Sequence, residues 1–196
     1  LNRQVLTYEI GDRLYINVTN RCCNNCVFCI RRTEKGVGYN LWLEKEPAAE
    51  EIIKSAGDAG RYSEVVFCGY GEPLMRLDVV KEVAAELKSR GAVLRVNTNG
   101  QASLQLGKNV PVELRGLVDT VNISLNADTP EKYVELCRPA LGAKAYPALL
   151  DFARECKLHI PRVVFSVVQW PGVDIEKCRE IAHSMGVEFR LRKYSG

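Results

Sequence analysis

Short aliphatic and β-branched runs alternate with helical stretches six times along this chain, and that alternation restricts its fold more than any other feature. Residues 14–18, 64–68, 92–96, 120–125, 162–168 and 187–191 read as strands, and 47–59, 78–90, 130–136, 146–156 and 174–185 carry helical patterns. Strand–helix alternation implies parallel pairing through right-handed crossovers. The Val, Ile and Leu content of the strands predicts burial on both faces. Only the connection after 92–96 looks irregular, with short apolar pieces near 104–106 and 114–117. The expected fold is α/β: an incomplete (β/α)6 partial TIM barrel with parallel strands. A doubly wound open sheet is the alternative.

With 196 residues, the chain is read as a single domain over 1–196. A net charge of +3 argues weakly for an anionic ligand and against nucleic acid as the main partner. No signal-peptide pattern is visible, and no apolar stretch approaches the roughly 20 residues that span a bilayer. A cytoplasmic location is therefore expected. Cysteine usage agrees: of eight cysteines, four crowd into residues 22–29 and the others stand singly, which suits a metal site in a reducing compartment. Cys68, Cys137, Cys156 and Cys178 read as small buried hydrophobes. His159 and His183 lack ligand partners and read as structural.

The crowded segment is Arg21-Cys22-Cys23-Asn24-Asn25-Cys26-Val27-Phe28-Cys29. Cys22, Cys26 and Cys29 have the spacing Cys-x3-Cys-x2-Cys, and three thiolates so placed can hold three irons of a [4Fe–4S] cube. The fourth iron is then open to a small molecule. Cys23-x2-Cys26-x2-Cys29 would also begin a ferredoxin-like run, but Thr33 stands where its next cysteine belongs. Cys23 is therefore expected to stay unligated. Phe28 either shields the cluster or packs the loop. The second strand runs into Gly69-Tyr70-Gly71-Glu72-Pro73, where glycine permits close approach and backbone carbonyls with Glu72 can receive an ammonium group.

These segments together resemble the radical S-adenosylmethionine (radical SAM) superfamily. The cysteine loop matches its defining pattern, and Gly71-Glu72-Pro73 its second-strand motif, with Tyr70 in place of the usual first glycine. The runs 15–22, 65–73 and 121–127 resemble more closely the small TatD-associated radical SAM proteins. The resemblance implies a radical-SAM-type barrel and a [4Fe–4S] cluster on Cys22, Cys26 and Cys29. It also implies reductive cleavage of SAM to a 5′-deoxyadenosyl radical that abstracts hydrogen from a substrate, in an oxidoreductase or lyase. It assigns the SAM site to Phe28, Tyr70, Gly71, Glu72, Ser124 and Asn126, with Asn97 and Asn99 facing or bracing the cavity.

The substrate residues are less marked. Arg31 follows the cysteine loop, and alternation places Arg190 and Arg192 on one face of the last strand, which together suggest a small anionic substrate. Tyr39 and Trp42, in the 30–42 segment, could form a lid or simply pack. Expected partners are a one-electron donor such as flavodoxin or ferredoxin and, from the resemblance, a TatD-type hydrolase. Two other classes stay open: a non-catalytic iron–sulfur electron carrier, and a zinc-stabilised structural domain.

Overall fold

The computed structural model describes residues 4–33 and 36–194. Seven strands form one sheet: β1 (Thr7–Ile10), β2 (Arg13–Ile16), β3 (Glu64–Phe67), β4 (Leu94–Thr98), β5 (Thr120–Ser124), β6 (Arg162–Val168) and β7 (Glu188–Arg192). Their spatial order is their sequence order. Every pair from β2 to β7 is parallel. A doubly wound sheet reverses strand order at a switch point, so this order excludes it and gives the six-unit parallel half-barrel expected.

The sequence reading missed β1. It pairs antiparallel with β2, with Ile10 opposite Arg13, so the strand read as first is the second. Gly11, at φ 63°, makes the two-residue turn. The irregular fourth connection contains two short helices, α3 (Ala102–Leu106) and α4 (Val110–Leu114). The remaining helices are α1 (Ala49–Ala56), α2 (Leu77–Ser89), α5 (Pro130–Cys137), α6 (Ala145–His159) and α7 (Ile175–Ser184). Caps fix two of their starts: Thr129 Oγ1 accepts from the Lys132 amide at 3.2 Å and Asp174 Oδ1 from the Lys177 amide at 3.0 Å.

The central strands are buried on both faces, as expected, but the two faces differ in polarity. Leu94, Val96, Val121, Ile123, Val163 and Phe165 point outward into the core with Val80, Val83 and Leu87 of α2 and Leu149 and Phe152 of α6. Each such side chain contributes about 1.5–3 kcal/mol on burial. The alternate positions point into the concave side. Register sets Asn97 beside Asn122, Ser124 beside Ser166, and Ser166 beside Arg190. The half-barrel therefore encloses polar groups. Near the strand N-termini its interior opens into a cavity of about 790 Å³ lined by Arg13, Glu64, Arg95, Asn122, Arg162 and Arg190 among others.

Candidate functional site

The cysteine loop leaves the C-terminal end of β2 and is held from two sides. Across the sheet, the Asn25 and Val27 amides donate to the carbonyls of Cys137 and Leu136, and the Ala140 amide donates to the Cys23 carbonyl at 2.8 Å. Beneath it lies a buried polar triad. Asn24 Nδ2 donates to the Tyr133 hydroxyl at 3.1 Å, and Gln101 Nε2 donates to both Asn24 Oδ1 and that hydroxyl, at 2.8 and 3.0 Å. The sequence reading missed Asn24, Gln101 and Tyr133. A polar pair set by tertiary contact over more than a hundred residues leaves no periodic signal.

The four clustered cysteines separate into three and one. All are free thiols. Cys22, Cys26 and Cys29 are half-buried, whereas Cys23 is buried; Arg31 adds a minor pull toward the thiolate at the first three. A bond from Cys23 and the Asn24 amide bring the Cys22 pKa down to about 6 despite its burial. Contact with the Cys137 thiol lowers that of Cys26, whereas burial raises that of Cys29. Cys23 is buried and turned to the polar triad, where Asn99 Nδ2 lies 3.0 Å and Gln101 Oε1 3.7 Å from its sulfur. Three half-buried thiols on one short loop, two of them lowered toward the metal-binding thiolate form, fit a three-point cluster. Among the described residues, no three of His, Cys, Asp and Glu are grouped to hold a single metal ion.

Arg31 itself donates to the carbonyls of Asn20 and Asn24, at 3.4 and 3.2 Å. It thus braces the cysteine loop. Phe28 is buried and packs on Trp170, ring centroids 5.5 Å apart, and Trp170 meets Tyr194 edge-on. The Cys137 thiol is buried in the core, as expected, and also contacts Cys26.

The 69–73 turn docks directly under this loop. A side chain at Gly71 would meet the Thr19 and Arg21 carbonyl oxygens at 2.3 and 2.5 Å, and the Glu72 amide donates to the same Arg21 carbonyl at 2.8 Å. Close approach at Gly71 is thus between two stretches of backbone. Glu72 is buried, and its carboxylate ties β3 to β4: it accepts from the Thr98 hydroxyl at 2.8 Å, the Asn99 amide at 2.7 Å and the Leu74 amide at 3.2 Å. Burial, then the nearby Cys22, pushes its pKa up to about 8. Tyr70 is met edge-on by Trp42, while Tyr39 packs against Tyr8 of β1. The Leu41 and Leu43 carbonyls are bonded by Asn17 and Asn20. The described part of the 30–42 segment therefore packs along the β1–β3 side. Glu34 and Lys35, within the segment proposed as a lid, lie outside the described residues.

Of the other expected cofactor residues, Asn99 bridges Glu72 and Cys23. Asn126 adopts φ 56° and accepts from the Val168 amide at 3.2 Å, closing the β5–β6 seam. Ser124 and Asn97 face the concave side, and the Asn97 Oδ1 atom is buried without a partner. Arg190 lines the cavity. Arg192 reaches inward, its buried Nε without a partner. Burial lowers its pKa, and Cys68, Arg190, Cys26 and Arg95 all lie within its electrostatic reach.

Residues 16–185 match the family described as the Radical SAM superfamily. The chain belongs to that superfamily, whose members use a [4Fe–4S] cluster and SAM. A GTP 3',8-cyclase of Limosilactobacillus fermentum is 28% identical over 166 residues, covering 82% of this chain and 47% of that protein. A 5-amino-6-(D-ribitylamino)uracil–L-tyrosine 4-hydroxyphenyl transferase of Methanosarcina mazei is 38% identical over 86 residues, 43% of this chain and 20% of its own. In structure, the chain is similar to Streptococcus suis SuiB bound to its precursor peptide SuiA, with a TM-score of 0.71 at 17% identity over 92% of this chain and 39% of that one. The chain spans less than half the length of each of these proteins.

Proposed function

We propose that this chain is the catalytic core of a radical SAM enzyme, in which Cys22, Cys26 and Cys29 hold the cluster and the Tyr70–Glu72 edge receives the methionyl ammonium of SAM. The observation that carries this reading is one of packing: the loop bearing three half-buried thiols leaves the C-terminal end of β2, and the 69–73 turn is packed backbone to backbone against the residues that lead into it. Bound there, the cluster supplies an electron, and SAM the 5′-deoxyadenosyl group whose release leads to hydrogen abstraction. The chain's own residues supply the rest. Arg31 and the Asn24 amide favour the thiolates. Phe28 and Trp170 exclude water from one side of the loop. Ser124 and Asn126 stand where the fourth parallel strand ends, in reach of the ribose or the methionyl carboxylate. The substrate is a small anion held in part by Arg190 or Arg192.

The reading carries an external one-electron donor of flavodoxin or ferredoxin type. Superfamily enzymes generally need such a donor. It also carries, on motif resemblance alone, a partnership with a TatD-type hydrolase. The test is anaerobic reconstitution followed by electron paramagnetic resonance with and without SAM, and chromatography for 5′-deoxyadenosine after reduction. We expect SAM to shift the reduced-cluster signal and the product to form slowly, with none from Cys26→Ala. A reduced cluster whose signal ignores SAM, with no product, would mark an electron carrier instead.

A further inference from the structure

The polar interior of the half-barrel contains groups that the cluster and SAM sites leave unused. Arg95, inward on β4, is only 6% exposed, yet its Nε has no partner. Among the described residues its one ion pair is to Glu64, at 3.1 Å from Nη2, and Glu64 is shared with Arg13 at 3.3 Å. Arg192, inward on β7, also has a buried and unpartnered Nε. Among the described residues, its guanidinium and that of Arg190 meet no carboxylate. Asn97 and Asn122, side by side on β4 and β5, each bury an amide oxygen without a partner. A buried guanidinium N–H without an acceptor is costly, and an anion that accepts from the Arg95 and Arg192 Nε atoms would remove that cost.

We propose that Arg95 and Arg192 form an anion clamp from opposite sides of the half-barrel, supported by Arg190, and that the substrate is a small phosphate- or carboxylate-bearing molecule held there. Arg95 and Arg190 line the cavity, and Arg192 stands two residues beyond Arg190 on β7, beside Val168 and nearer the C-terminal end of the sheet. The clamp therefore reaches from the 790 Å³ cavity at the strand N-termini toward the cysteine loop. A substrate anchored by its anion points the remainder of its body toward the cysteine loop. Asn97 and Asn122 flank that body and read its polar groups. The cavity lining is itself balanced, with Asp12, Glu64, Asp119 and Glu188 beside Arg13, Arg95, Arg162 and Arg190, so Arg192 above it is the cation in excess. The clamp rests on the radical SAM reading for the reaction it serves, but not for binding.

The test is anion binding to the anaerobically reconstituted protein, followed by thermal shift and calorimetry. The probes are pyrophosphate and succinate, with choline chloride matching ionic strength. Stabilisation by one of the two anions beyond the salt control is expected, and which one tells phosphate from carboxylate. Arg192→Gln should weaken that binding about tenfold or more, as for one lost charge-assisted hydrogen bond. Arg95→Lys keeps the Glu64 charge pair while removing the forked donor, and should weaken it similarly. Lys54→Gln, the same charge change on the exposed face of α1, should leave it unaltered. If neither anion exceeds the salt control, or if Arg192→Gln and Arg95→Lys both bind as tightly as the parent, the clamp is refuted. Substrate-free 5′-deoxyadenosine formation by the parent protein, measured in parallel, reports on the radical SAM reading independently.

Discussion

In the cluster-free protein, Cys22 is expected to react with iodoacetamide as a thiolate, its rate rising through about pH 6 and levelling near neutrality. Cys23, its neighbour, is raised by its bond to Cys22 and by burial, and should label slowly over the same range. Peptide mapping after brief labelling at pH 7 separates them, and equal labelling would contradict the assigned environments. After reconstitution, Cys22→Ala, Cys26→Ala and Cys29→Ala should lose the iron signal, whereas Cys23→Ala should keep it. Above about pH 8, where Glu72 is ionised, Glu72→Gln brings a donor amide against either the Asn99 or the Leu74 amide, where a carboxylate oxygen accepts. One donor is left unsatisfied, at a cost of about 1–3 kcal/mol. A lower denaturation midpoint together with weaker SAM binding, at unchanged iron content, is the expected outcome by urea titration and calorimetry.

At the level of elements, the α5 end is the anchor of the cysteine loop. Tyr133→Phe strips the acceptor from Asn24 and Gln101 at once while keeping the ring in place. Iron per chain should fall and the thiols of the loop should become easier to label. Unchanged labelling would show that the triad does not hold the loop. The parallel strands and the long helices were legible in sequence because each is a continuous pattern with its own stop signal, as Gly91 is for α2. The cysteine loop was legible because metal spacing is local. β1 carried a readable Gly11–Asp12 hairpin turn, but its four residues, half of them polar, lack an apolar run. The polar concave face was also readable: Leu94-Arg95-Val96-Asn97 and Val121-Asn122-Ile123-Ser124 alternate strictly, as a strand with one apolar face does. Burial on both faces and a polar inner face coexist here, because the inner polar side chains are enclosed by the half-barrel. The docking of Gly71 under Thr19–Arg21 and the Cys26–Cys137 contact join distant segments, and no local pattern encodes them.

At the scale of the whole molecule, the sheet ends in two unpaired edges, β1 and β7, so the polar interior is a trough open along one side. No helix among the described residues is long and apolar enough to cross a membrane. Strands that neighbour each other in space also follow each other along the chain, so the sheet can grow one unit at a time as synthesis proceeds. The cysteine loop breaks that rule. It belongs to the first unit, but its Asn24–Tyr133 bond closes 109 residues of chain. During synthesis the loop therefore has its thiols long before it has its seat. A fragment ending before Tyr133 should capture iron poorly even under reducing, iron-replete conditions, and stalled translation products of graded length would show where capture begins. Cluster loading then becomes a late inspection of the finished fold, completed only once the fourth unit has closed on the first.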